Sequence, residues 1–117
     1  MPLSASEIDR TGRHLLASMG SAREAVTLVH KGHEEATPVT VNVLQEDCLL
    51  QSYRQADINL ETILQNDLRC RIRVGGLSVI PTRWDTVLRS DGSQWRVVNV
   101  SGGPGHPLWD MTLRQVA

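Results

Sequence analysis

His30-x-x-His33, followed directly by Glu34 and Glu35, is the one place in this chain where metal-ligating side chains stand at ligand spacing. Two imidazoles could supply two donors, but a bound zinc ion wants four, and the rest would have to come from afar. The surrounding stretch, "KGHEEATP" at 31–38, is polar and reads as an exposed hairpin loop, so no metal is expected. Cys48 could in principle pair with a histidine as nucleophile and base, yet no local signature supports that chemistry. "GGLSV" at 75–79 lacks the second glycine that a nucleophile elbow places after its serine. "SGGPGHP" at 101–107 lacks the Lys-Ser/Thr of a phosphate loop and precedes a strand pattern rather than a helix; it reads as a hairpin connection. No catalytic set and no cofactor site assembles, and a non-enzymatic protein is expected.

Arginine carries the strongest remaining chemistry. Arg69, Arg71 and Arg73 alternate with Leu68, Cys70, Ile72 and Val74, which puts three guanidinium groups on one face of a strand, about 7 Å apart. Such a row could track a nucleic-acid backbone, pair with carboxylates of another subunit, or blunt a solvated sheet edge. Acidic residues at 46, 47, 57, 61 and 67 lie close by in sequence and favour protein partners over DNA. The net charge of −1 lacks the basic excess that phosphate binding calls for.

The elements that must carry these residues are mostly strands. Residues 4–20 read as one helix: Ser4 and Glu7 stand at capping-box spacing, and Ile8, Leu15, Leu16 and Met19 form a thin apolar stripe with Gly12 at its gap. A stripe so narrow suits docking onto something else. After Gly20 the period becomes two. "REAVTLVHKG" and "PVTVNVL" within 22–44, the arginine strand, "WDTVLRS" and "SQWRVVNV" around Asp91-Gly92, and "PLWDMTLRQV" give six short strands. The fold expected is mainly β, a small barrel or sandwich with one N-terminal helix, in a single domain over 1–117 with its core in 67–117. The three tryptophans are expected in that core; if one lies outside, position favours Trp109, near the chain end.

The segment 45–66 fits neither period over its whole length. It carries Leu49, Leu50, Tyr53, Ile58 and Leu60 among polar residues. Two readings remain open: a mobile arm that orders against a neighbouring subunit, or a short helix plus a strand on the chain's own core. The mobile arm is the form expected. Cys48 and Cys70 belong to no CxxC and are expected to be packed, reduced thiols. No run approaches the apolar length of a membrane helix, and "MPLSASEIDR" does not resemble a secretion signal, so a cytosolic site of synthesis is expected.

Residues 68–114 carry a resemblance. The strand "LRCRIRV", then Ile80-Pro81, Trp84-Asp85-Thr86-Val87, a turn, Trp95-Arg96-Val97-Val98 and "LWDMTLR" resemble the head–tail joining proteins of lambda-like tailed phages. The stretch covers about 40% of the chain, and an N-terminal helix ending in "SMG" adds to it. The resemblance implies a virion structural protein of the neck that completes the DNA-filled head, as a stopper or connector. Its implied partners are identical copies in a ring of about six subunits, the portal or an adaptor protein, and a tail-tube or tail-terminator protein, with DNA near only in the channel. The residues assigned to such contacts are Arg69, Arg71, Arg73, Leu49, Leu50, Tyr53, Ile58, Leu60, His33 and Glu34. Two alternatives stand beside this reading: a tail-terminator or tail-tube-like ring protein, and an OB- or SH3-like nucleic-acid-binding module.

Overall fold

The alternation that marks six strands in the sequence builds a seven-stranded antiparallel sheet. A computed structural model describes residues 5–18, 23–31, 38–59, 63–103 and 105–116. Helix α1 (Ala5–Ser18) precedes β1 (Val26–His30), β2 (Val39–Val43), β3 (Cys48–Ser52), β4 (Leu68–Arg73), β5 (Thr86–Leu88), β6 (Gln94–Gly102) and β7 (Leu108–Gln115). Single 3-10 turns lie at Gln45–Asp47, Gln55–Asp57 and Val74–Gly76. The strand order is β2-β1-β5-β6-β7-β4-β3. The sheet curls into a half-barrel, and the entry to β1 reaches round to β3: Arg23 bridges Leu49, and the Glu24 N–H donates to the Cys48 carbonyl at 3.1 Å. The mainly β architecture with one N-terminal helix is as expected.

The concave side holds the core. Cys70 and Ile72 of β4, Trp109, Met111 and Leu113 of β7, Trp95 and Val97 of β6, Val87 of β5 and Leu28 of β1 fill it. Each strand contributes alternate residues, as the pleat dictates. β6 keeps its apolar side inward despite a change of phase, because the register with β7 shifts between Val97 and Asn99. The extra residue of that bulge turns Val100, rather than Asn99, toward the core. The hairpin between β5 and β6 closes as its Asp-Gly pair predicts, with Gly92 at φ 88° and its N–H on the Arg89 carbonyl.

Two expectations are corrected. The described part of 45–66 is not a detached arm, because Cys48–Ser52 forms an edge strand paired with β4. Cys48, Leu49 and Leu50 are all buried. Cys48 and Leu50 face the main core, whereas Leu49, opposite Arg71 in register, lies on the other face. That is the face where α1 packs against β4. A strand covered on both sides shows a continuous apolar run instead of alternation, which is why its period was hidden. The second correction concerns tryptophan. Trp95 and Trp109 are buried, but Trp84 lies in the turn before β5 with 58% of its surface exposed.

At Gly12, the gap in the apolar stripe, α1 passes close to the β6–β7 connection and to Arg73 of β4. A Cβ there would stand 2.7 Å from the Pro107 carbonyl oxygen and 3.1 Å from Arg73 Cγ. Leu16 is fully buried beside this approach and lies outside the main core cluster. Leu16, the bare backbone at Gly12 and the ion pairs described below all contribute to the docking of the helix. Ser4, Met19 and Gly20 lie outside the described residues.

Candidate interaction surface

The arginine row binds carboxylates of its own chain. Arg69 grips Asp110 of β7 with Nε 3.1 Å from Oδ1 and Nη2 2.6 Å from Oδ2. Arg71 stands opposite Asp110 in register, its Nε 3.8 Å from the same Oδ2. Arg73, almost buried, donates to Asp47 through Nε at 2.8 Å and Nη2 at 3.3 Å, and to Asp9 of α1 through Nη1. These contacts hold the Arg73 guanidinium above its ordinary pKa, the hydrogen bonds to Asp47 first, with burial opposing them. Arg114 holds Asp67 in the same two-pronged way, and Arg89 holds Glu24. Five arginines thus stitch neighbouring elements together, each guanidinium beside a carboxylate of the same chain. An Arg fork matches a carboxylate in two places at once, which favours this use over a point charge.

The other residues assigned to partner contacts are divided. Leu49 and Leu50 are core residues with no surface to offer a neighbour. Tyr53 is half-buried, its hydroxyl 2.6 Å from Thr112 Oγ1 on β7; burial raises its pKa, and the Thr112 contact opposes that. Ile58 is half-buried after the Gln55–Asp57 turn. Leu60, His33 and Glu34 lie outside the described residues, as does most of the 31–38 loop. Tyr53 and Arg69 come together with Ser101, Asp110 and Thr112 along one shallow groove on the convex side.

His30 is tied to a carboxylate on a distant segment. Its Nδ1 lies 2.9 Å from Asp85 Oδ2. The Asp85 side chain is fully buried and accepts three more hydrogen bonds, from the Lys31 N–H and from the Thr82 N–H and hydroxyl. This carboxylate ties the end of β1 to the 74–85 connection, and the Thr82-x-x-Asp85 spacing was its visible trace in the sequence. The same connection carries two exposed apolar side chains that sequence reasoning missed as surface, Ile80 and Trp84. Among the described residues no group of three or more His, Cys, Asp or Glu is placed to hold a metal ion. Cys48 and Cys70 are free, buried thiols with sulfurs 3.8 Å apart. Among the described residues no helix is long and apolar enough to cross a membrane.

No family model matches the chain, and neither a curated protein nor a solved structure matches it.

Proposed function

We propose that this chain is a structural subunit of a tailed phage or prophage that completes the packaged head and joins it to the tail, as a ring at the portal vertex. What supports the reading is the position of the residues that resemble the head–tail joining proteins. Strands β4, β5, β6 and β7, which lie in 68–114 but for the last residue of β7, are adjacent in the sheet as β5-β6-β7-β4 and supply most of its core. The resemblance therefore runs through one physical unit rather than scattered pieces. The helix and the β1–β2 hairpin attach to that unit at its periphery, where a ring subunit needs adaptable parts. The internal pairing of the arginines weighs against the nucleic-acid module, whose affinity would come from guanidinium groups open to phosphate.

The test is genetic and visual. Deleting the gene from its phage or prophage should leave DNA-filled heads and separate tails in electron micrographs, and adding the purified chain should restore joined particles. Normal joined particles after deletion, or empty heads and no packaging, would rule the reading out.

A further inference from the structure

The sheet is not closed at both edges. β3 has its outer side partly covered by the entry to β1, through the Arg23–Leu49 bridge and the Glu24 to Cys48 hydrogen bond. β2 is the opposite edge, paired on one side with β1 along all five residues. Among the described residues no backbone hydrogen bond reaches its other side. Exposed edges are commonly blunted by a charge, a bulge or a covering segment, because a bare row of N–H and C=O groups templates another strand. Within Val39-Thr40-Val41-Asn42-Val43 there is no charge and no register shift. Pro38 precedes the strand and limits any pairing to these five residues.

We infer that the β2 edge is a self-association surface, and that its occupant is β2 of a second copy of this chain, running antiparallel about Val41. The strand's own symmetry of type suits a second copy. Reversed about Val41, the sequence sets Val39 against Val43, Thr40 against Asn42, and Val41 against itself. Apolar residues then meet apolar residues on one face, and neutral hydrogen-bonding residues meet on the other, which is the pairing that stabilises a sheet. A slip by one residue would set valines against Thr and Asn and lose that match. Thr40 and Asn42 are exposed, and Val39 is about half exposed. The contact is isologous and closes on itself, so it yields a pair of subunits rather than a ring. It stands independently of the neck reading and describes the subunit in solution.

The experiment uses the full chain and its mass in solution. Sedimentation velocity or light scattering should show the average mass rising toward twice that of one chain as concentration increases. The variant with Thr40→Lys and Asn42→Lys should remain single, because like charges then oppose each other at both exposed positions, and so should the variant with Thr40→Glu and Asn42→Glu. Mixed in equal amounts, the two should pair again, with circular dichroism unchanged throughout. Mass staying at one chain up to about 1 mM, the scale of the weakest specific contacts, overturns the inference. So does a wild-type pair that the charge variants leave intact, or a mixture that fails to pair, since either places the contact elsewhere. A chain that stays single alone yet accepts a strand from a different protein at β2 also overturns it.

Discussion

Arg73 and Asp47 form an ion pair beneath helix α1, with Nε 2.8 Å from Oδ1 and both side chains about nine-tenths buried. Asp47 ends the turn that leads into β3, Arg73 ends β4, and Asp9 of α1 holds the guanidinium's other arm. Three elements distant in sequence therefore meet on one group.

That geometry sets the cost of breaking the pair. Arg73→Ala should destabilise the fold by about 3–5 kcal/mol, because it leaves the Asp47 carboxylate buried without its counter-charge. Replacing both partners together, Arg73→Met with Asp47→Leu, should recover much of the loss. Urea unfolding of the two singles and the double measures the coupling. A double variant as unstable as the sum of the singles would show that the two do not act as a pair.

Gly12 offers a test in which two principles point in opposite directions. In a helix exposed to water, Gly→Ala stabilises by about 1 kcal/mol. Here the added methyl would stand 2.7 Å from a backbone oxygen, and a backbone group cannot swing aside. Gly12→Ala should therefore destabilise the protein, and should weaken the protection of amides in α1 more than in β6 or β7 by hydrogen exchange. Gain of stability would mean that the helix sits further from the β6–β7 connection than described.

The pair Glu24–Arg89 should give the fold part of its acid sensitivity. Arg89 donates from Nε at 3.0 Å and from Nη2 at 2.8 Å, and these bonds hold the Glu24 carboxyl below its ordinary value of 4.5, against the opposite push of burial. A carboxylate depressed in the folded chain contributes stability above its unfolded pKa and loses it as the pH falls through the folded value. Glu24→Gln should thus cost about 1 kcal/mol at neutral pH and nothing once both states are protonated. Stability curves of the two proteins should converge as pH drops below 4.5. Parallel curves would show that the pair contributes nothing.

What was legible in the sequence depended on whether the physics was local. β4 and β7 show clean alternation because one face is core and the other is polar, so their period survives in the residue types. β3 lost that signal, since Leu49 is buried on the α1 side while Cys48 and Leu50 fill the core. The bulge in β6 left no mark in the run "RVVNV", where either valine could face inward. Trp84 read as a strand residue because its neighbours Thr86 and Val87 are one, although it belongs to the turn that Asp85 caps. The arginine row was visible, but its partners were not: Asp47, Asp110 and Asp9 lie 26, 41 and 64 residues from the arginines they bind. Only the folded sheet brings such pairs together.

Cys70 should be a reporter of opening. It has no exposed surface, and the neighbouring Cys48 sulfur, then burial, push its thiol well above its ordinary pKa. The reactive species is the thiolate, so both access and ionisation are suppressed in the native fold. Labelling by a thiol reagent should be slow in the folded protein and should accelerate with urea in step with global unfolding, because Cys70 is wholly buried and β4 is paired on both sides, with β3 and β7. Rapid labelling in native buffer would mean that the β3 edge detaches on its own.

The tryptophans should separate by position rather than by type. Trp109 is buried under Gly103, whose Cβ, if it had one, would fall 2.6 Å from the ring, and Gly103 holds a positive φ of 115°. Trp109→Ala should therefore cost about 3–5 kcal/mol through the cavity it leaves, and Gly103→Ala should also destabilise, through the clash and the strained backbone. Trp84→Ala should change stability by about 0.5 kcal/mol or less, since more than half of the residue's surface is exposed. In acrylamide quenching, the fraction of fluorescence readily lost should disappear in Trp84→Phe and persist in Trp109→Phe. If Trp84 instead resisted quenching in the free subunit, its ring would already be covered, and Ile80 and Trp84 would not form an open surface for a neighbour.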